Sequence, residues 1–271
     1  MKLTLKLKLY LQFIYNSFYQ NSIYRFNTLF DIISKLVILY VQIAIWAYLL
    51  KNKSVSSNIG VISMNDMITY AIISSFIWLF VTNEVISRMH NLIKSGDISM
   101  LLIRPFSLFR YIFSESLGSY LYRIVFQLLP MLLVVAPFYE ISLPKMDILV
   151  IFMVSLFNGI LINFIITYIL GIVGFWIISV NNLSMLLSSL VRLLSGMIVP
   201  LWFFPHQLLI IADLLPFKGI FYYPISIFLN KMNYYEIILS LTNQVVWLIV
   251  LFIIQKILYR NAINKLNIQG G

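Results

Sequence analysis

The sequence predicts an all-α polytopic membrane protein with six transmembrane helices, an N-terminal amphipathic interfacial helix and a re-entrant outer hairpin between spans 5 and 6. Apolar residues make up 61% of the 271 residues and charged residues only 10%, whereas a soluble domain carries about 25% charged residues. The apolar residues also fall into runs of roughly 20, which is long enough to cross a hydrocarbon layer about 30 Å thick.

Within the first 25 residues, the stretch "KLTLKLKLYL" alternates with period two as a strand would, but the segment also fits a helix. The helical alternative has an apolar stripe formed by Leu3, Leu7, Tyr10, Ile14 and Phe18. A strand edge at a bilayer surface would leave its backbone groups unpaired, whereas a helix satisfies them internally. We therefore predict an amphipathic helix over residues 1–25 on the cytoplasmic leaflet. Lysines and Asp31 interrupt the first apolar runs, so we expect no cleaved signal peptide.

The apolar runs predict six spans within a single transmembrane domain of residues 1–271. The predicted spans are Thr28–Leu50, Met67–Ser87, Tyr111–Pro137, Ile148–Val180, Leu183–Phe204 and Glu236–Tyr259. The fourth is about 50 Å long as one straight helix, so it must tilt, project or break, and Gly171 and Gly174 are where a break costs least. Residues 206–230 are also apolar, but Pro216 and Pro224 divide them into pieces too short to cross. We predict that these residues form the re-entrant outer hairpin.

The distribution of basic residues supports six spans with both termini in the cytoplasm. This arrangement places eleven of the 19 Lys and Arg residues on the cytoplasmic side and five on the outer side, in agreement with the positive-inside rule. A seventh span would move the C-terminal basic cluster to the outside. The net charge of +10 is thereby explained by topology, and no nucleic-acid partner is expected. The predicted location is the plasma or inner membrane.

The only sizeable cytoplasmic loop between the predicted spans covers residues 88–110 and contains an unusual charged elbow. The stretch "SGDISMLLI" is typical of a helix start, with Ser95 or Asp97 as a cap and Gly96 permitting the turn. Pro105 then stops the helix and biases Arg104 away from helical geometry. We predict a short helix parallel to the membrane, suited to binding a cytosolic partner.

Four stretches of the sequence resemble the ABC type-2 permease family. "IKSGDISMLLIRPFS" is similar to the loop between the second and third spans of that family, and "YRFN" to its stretch before the first span. "LLSGMIVPLWFFPHQLLIIADLLPF" resembles its glycine-containing fifth span with the following "P-L-x-x-F-P" and "L-P-F". "YRNAINKLNIQGG" resembles its basic tail with paired glycines, although Leu266 and Asn267 depart from that pattern.

The resemblance implies the membrane subunit of an ATP-driven exporter, with the elbow as a coupling helix on a separate ATPase subunit. The implied coupling residues are Lys94, Gly96, Asp97, Leu101, Leu102, Arg104 and Pro105. It also implies a second permease, identical or paralogous. The sequence contains no G-x-x-x-x-G-K-[ST] loop, so ATP and Mg²⁺ are expected on the partner chain and no cofactor on this one. An amphipathic or lipid-like cargo, such as a drug, lipid or peptide, suits the apolar spans.

Two arginines, Arg123 and Arg192, lie near the middles of predicted spans, where each costs about 2.5 to 3.5 kcal/mol. One hypothesis is that they line a hydrated translocation path and meet an anionic part of a substrate or lipid. The alternative is that they extend toward the interface or, for Arg123, pair with Glu115. The i, i+4 spacing also predicts two structural ion pairs, Asp31–Lys35 and Glu84–Arg88.

Residues near the predicted hairpin form a candidate outer gate, although they could simply turn the re-entrant segment. These residues are Pro200, Pro205, Pro216 and Phe217. No catalytic or metal site is expected, because the acids are scattered and His90 and His206 fall on opposite membrane faces. An ion-coupled carrier remains the alternative function; it should show inverted repeats and acidic residues near the midplane. A lipid-modifying enzyme would need a catalytic cluster.

Overall fold

Helices form nearly all of the chain, as expected where the backbone must pair internally within a membrane. The computed structural model describes residues 2–23, 25–50, 55–57, 60–139, 143–177 and 180–269. The helices are α1 (Lys2–Ile23), α2 (Arg25–Leu50), α3 (Met64–Trp78), α4 (Glu84–Ser95), α5 (Asp97–Ile103), α6 (Leu108–Arg123), α7 (Leu129–Val135), α8 (Met146–Val173), α9 (Asn181–Leu194), α10 (His206–Asp213), α11 (Tyr222–Phe228) and α12 (Tyr234–Gln269). Strands β1 (Val55–Ser57) and β2 (Gly60–Ile62) form a small antiparallel hairpin, with Val55 opposite Ile62.

Four helices in the described part of the chain are long and apolar enough to cross a membrane. They cover Phe26–Leu50, Leu108–Val135, Met146–Val173 and Tyr234–Asn264. These helices coincide with predicted spans 1, 3, 4 and 6. The chain is therefore a multi-pass helical membrane protein, as the composition indicates.

The prediction that span 2 runs over Met67–Ser87 is wrong as a single helix. Helix α3 ends at Trp78 and α4 starts at Glu84, with a turn between them. The turn is stabilised from other helices, since Arg123 donates to the Leu79 carbonyl at 2.6 Å and Asn83 donates to the Ser188 hydroxyl at 2.7 Å. A backbone carbonyl freed at a break can stay in an apolar environment only when such a donor reaches it.

Predicted span 5 over Leu183–Phe204 is likewise shorter than a bilayer-crossing helix. Helix α9 ends at Leu194, and Gly196 takes a left-handed φ of 81° that continues neither helix nor strand. Pro200 then precedes a single 3₁₀ turn over Leu201–Phe203. The residues of the fifth span are therefore a helix of 14 residues followed by turns.

The fourth predicted span breaks where its glycines lie. Helix α8 ends at Val173 with Gly174 as its C-cap, which shortens the predicted 148–180 segment to a helix of 28 residues. Gly171 also allows close packing, because a Cβ there would meet the Met89 side chain of α4 at 2.8 Å. The core is built around α8, which packs against α12, α4 and α11.

The N-terminal segment is helical, as predicted, but it is not only a surface element. Helix α1 packs lengthwise along α6, where Ser17 donates to the Glu115 carbonyl at 2.7 Å and Asn21 donates to the Ser119 hydroxyl at 3.2 Å. Gly118 permits this approach, because a Cβ there would meet the Ile14 carbonyl and lie 2.7 Å from the Ser17 Cβ. Its placement on the cytoplasmic leaflet stays a prediction.

Residues 206–230 form two short helical pieces rather than one straight helix. Helix α10 and the segment Pro216–Phe228, which contains a 3₁₀ turn (Pro216–Gly219) and α11, meet at an angle of 81°. Pro216 lies at the first position of the 3₁₀ turn, where its missing N–H costs no hydrogen bond. The bend agrees with the division predicted from the prolines, and the re-entrant placement itself remains a prediction.

Candidate functional site

The charged elbow folds as the short helix that its sequence predicts. Helix α4 ends at Ser95, Gly96 adopts a left-handed φ of 79°, and α5 follows at once from Asp97 to Ile103. Gly96 is itself the N-cap; the Ser95 hydroxyl donates to the Asp97 carboxylate at 2.7 Å. Arg104 is extended before Pro105, which ends the helix.

Burial separates the elbow into an anchored face and an exposed face. Ile98 is 1% exposed, and Leu101 and Leu102 are half-buried against the main core. Met100 and Ile103 are 64% and 86% exposed. The exposed polar and turn residues beside them are Lys94, Gly96, Asp97, Arg104 and Pro105.

Met100 and Ile103 are therefore the exposed apolar residues of α5. The sequence predicts Leu101 and Leu102 as coupling residues instead, because four successive apolar residues in "MLLI" do not reveal which side faces the core. The i, i+3 spacing of residues 100 and 103 places both side chains on one helix face, and this spacing could have identified the exposed side.

Arg88 connects the start of the elbow to α6. Its guanidinium donates to both Glu115 carboxylate oxygens, at 2.8 and 3.1 Å, and to the Tyr111 hydroxyl at 3.0 Å. The predicted Glu84–Arg88 pair is therefore wrong. The guanidinium instead crosses to a neighbouring helix, where a bidentate carboxylate contact is stronger than an exposed pair on one helix.

A polar cavity of 460 Å³ lies between α2, the α3–α4 turn, α6 and α9. Arg123 lines it and is buried, forming an ion pair with Glu84 and donating to the Leu79 carbonyl at 2.6 Å. Its partner is therefore Glu84 and not Glu115. The predicted spans had placed Glu84 nearer the cytoplasm, and the early end of α3 at Trp78 instead brings it beside Arg123.

A second ion pair lines the same cavity. The Lys35 ammonium lies 2.5 Å from the Asp31 carboxylate, which confirms the predicted i, i+4 pair, and also donates to the Gln127 Oε1 at 3.1 Å. In both pairs the cation is more buried than the carboxylate. The side chains of Lys35 and Arg123 are 17% and 9% exposed. The side chains of Asp31 and Glu84 are 46% and 57% exposed. The carboxylates therefore present the accessible edges of the cavity.

Arg192 does not line this cavity. Its side chain is exposed, and its guanidinium carbon lies 5.3 Å from the centre of the Trp78 ring. It lines a neighbouring groove of 260 Å³, which is otherwise mostly apolar. Lys35 and Trp78 line both spaces, so the polar cavity and the apolar groove adjoin.

The candidate outer gate residues do not form one cluster. Pro200, Pro216 and Phe217 are buried, whereas Pro205 is exposed. Near Pro200, aromatic rings pack around the α9 end, and the Tyr70 hydroxyl donates to the Gly196 carbonyl at 2.5 Å. These contacts pack the residues around Pro200 against α3, and the role of this region as an outer gate stays a prediction.

Comparison with curated proteins gives no significant match. A family model described as ABC-2 family transporter protein matches residues 32–270, a range that includes the elbow, the apolar groove, most residues of the polar cavity and the bent segment. Members of this family are membrane subunits that generally lack an ATP-binding site of their own. The chain therefore belongs to the ABC-2 transporter family.

Proposed function

We propose that this protein is the permease subunit of an ATP-driven exporter and that α5 is its contact with a separate ATPase subunit. The single observation that carries the proposal is the arrangement of α5 within an ABC-2 chain. Its buried side, at Ile98, is held by the core while Met100 and Ile103 are exposed. An apolar centre surrounded by the charged residues Lys94 and Arg104 matches the usual composition of a protein interface.

The surroundings of α5 suit it to passing a displacement into the membrane helices. Gly96 joins it directly to α4, whose Met89 packs on Gly171 of α8. At the other end of α4, Glu84 is paired with Arg123 of α6. A push on α5 would therefore reach two long helices through contacts that are already in place.

The remaining parts of the proposal concern topology, oligomeric state and cargo. The chain crosses the membrane six times, and the second and fifth spans are interrupted. Both termini and α5 lie in the cytoplasm, and residues 206–230 form an outer re-entrant hairpin. The permease acts as a homodimer or paralogous heterodimer, while ATP and Mg²⁺ bind to the ATPase chains. Its cargo is amphipathic or lipid-like.

Affinity purification of the tagged protein in mild detergent tests the proposal. A nucleotide-binding subunit is expected to co-purify with ATP hydrolysis activity. Met100→Asp and Ile103→Asp should each abolish that association while the protein stays membrane-inserted, because a charge in the apolar centre of an interface is not compensated. These positions are better suited than Leu101, whose half-buried side chain also supports the core.

Met146→Asp is the matched control, since Met146 is 76% exposed at the start of α8, on the predicted outer side. This variant should keep the ATPase partner. If wild-type protein purifies alone and without hydrolysis in several gentle detergents, the proposal is refuted and the ion-coupled carrier becomes the better hypothesis. Unchanged association in both α5 variants would refute the role of α5.

A further inference from the structure

We propose that the polar cavity and the adjoining apolar groove together bind one zwitterionic amphiphile, with its headgroup in the cavity and its chain in the groove. The inference that this amphiphile is the transported cargo rests on the proposed function. The binding site itself rests on the residues described above. The headgroup cation would meet Asp31 and Glu84, and the headgroup anion would meet Arg192.

The two adjoining spaces have the division that an amphiphile needs. The cavity is lined by charged and amide side chains, whereas the groove contains Ile38, Val41 and Ile45 from α2. On α9, Ser188 lines the cavity and Arg192 lines the groove. Because these residues are one helical turn apart, about 6 Å along the axis, Arg192 lies close to the mouth of the cavity.

Polar groups in the cavity remain available to a ligand. Gln127 is 7% exposed; its Oε1 accepts from Lys35, and its Nε2 has no acceptor among the described residues. The Thr82 hydroxyl, which also lines the cavity, has no partner in that part of the chain either. Both groups can therefore hydrogen-bond water or a ligand headgroup in the cavity.

The charges indicate a headgroup of both signs. Lys35 and Arg123 are buried and already paired, so the accessible edges of the cavity are the carboxylates of Asp31 and Glu84. Arg192 forms no ion pair in the described part of the chain and contacts only the Trp78 ring. An anion alone would face two carboxylates, and a cation alone would leave Arg192 uncompensated beside an apolar groove. A zwitterion satisfies both.

Native mass spectrometry of the full-length protein in a non-ionic detergent tests the proposal. The probes are a lysophosphatidylcholine, a lysophosphatidylglycerol and an alkyltrimethylammonium with matched chain lengths, which are zwitterionic, anionic and cationic. The zwitterionic probe is expected to bind at least about tenfold more tightly than the other two, the factor expected from one additional charged hydrogen bond. Equal binding of the three probes, or no binding of the zwitterion, overturns the proposal.

Two substitutions locate the bound probe. Arg192→Gln and Asp31→Asn should each weaken binding of the zwitterion by about tenfold. Their controls are Lys256→Gln, which removes another exposed cation above an aromatic ring, and Asp147→Asn, which removes an exposed carboxylate elsewhere. Both controls should retain wild-type affinity. Arg192→Gln is decisive even if Asp31→Asn misfolds, because Arg192 is exposed and forms no ion pair among the described residues. Unchanged affinity in this variant overturns the site.

A last measurement distinguishes cargo from a resident bilayer lipid, which share this chemistry. Stimulation of ATP hydrolysis by the zwitterionic probe in the purified complex identifies cargo, and binding without stimulation identifies a resident lipid; both support the site. Because the binding assay contains no ATPase, its failure leaves the proposed function intact. If the probe binds but no ATPase co-purifies with the protein in the affinity purification, the site is supported and the proposed function alone is overturned.

Discussion

Arg123 is buried because two acceptors from outside its own helix neutralise its guanidinium. Glu84 supplies a carboxylate and Leu79 a backbone carbonyl, both at the α3–α4 turn. The arginine thus stabilises the break between α3 and α4 while its own charge is compensated. Arg192 is the contrasting case, since its exposed guanidinium rests on the Trp78 ring alone among the described residues.

Replacement of each arginine by methionine should separate these two roles. Arg123→Met leaves the Leu79 carbonyl unpaired, and we expect a loss of about 1 to 3 kcal/mol in the free energy of unfolding. Arg192→Met should change that free energy by less than about 0.5 kcal/mol, as surface substitutions usually do. Thermal unfolding of the purified protein in detergent measures both. Equal stability of the two variants would show that the Arg123 contacts contribute nothing.

At the scale of elements, Asp66 joins the start of α3 to the segment before α12. Its carboxylate accepts from the Ser63 amide at 3.0 Å in a capping box and from the Lys231 ammonium at 2.8 Å. Partial burial acts to raise the pKa of Asp66, but the hydrogen bonds from Lys231 and Ser63 outweigh it and lower this pKa below its usual value. The folded state is therefore stabilised by the ionised form.

This pKa shift predicts a pH dependence with a definite sign. The stabilisation is fully present above the unfolded pKa of about 4 and is lost as the pH falls through the lower folded pKa. Asp66→Asn should therefore unfold at a lower temperature than wild type at pH 6, by an amount that shrinks as the pH approaches 3. Thermal unfolding across this pH range checks the prediction, with Asp147→Asn as a control expected to follow wild type. A difference independent of pH would contradict it.

Helix ends differ in how far they follow from local sequence. The two ends of α5 follow from local sequence, since Gly96 and Pro105 act through their own backbone restrictions. The end of α3 at Trp78 does not follow from local sequence, because the turn is stabilised by hydrogen-bond partners on other helices. Arg123 of α6 donates to the Leu79 carbonyl, and Ser188 of α9 accepts from Asn83. This lack of a local signal explains why span 2 appeared continuous in the sequence.

For the whole molecule, the orientation of the C-terminal half depends on whether the interrupted fifth span crosses the membrane. The chain contains no cysteine, so single substitutions give clean labelling sites. Ser99 in α5 and Gln207 in α10 are both exposed. An odd number of crossings between them places them on opposite sides.

We predict that an impermeant maleimide labels Gln207→Cys in intact cells and Ser99→Cys only after permeabilisation. The unsubstituted chain provides the background. Labelling of both positions from the same side would mean that the segment 181–204 does not cross, which would reduce the number of spans and reverse the orientation of everything after it.

The sequence by itself determined the membrane class, the four long spans, the short α5 helix and the family, because each depends on composition, run length or the backbone limits of Gly and Pro. It also determined the Asp31–Lys35 pair, whose spacing lies within one helix. Only the tertiary structure decided that Arg123 pairs with Glu84, that Arg88 pairs with Glu115, and that Met100 and Ile103 are the exposed apolar residues of α5. These facts depend on which helices become neighbours, and in a chain with few charges the partner of each ion is selected by packing and not by distance along the sequence.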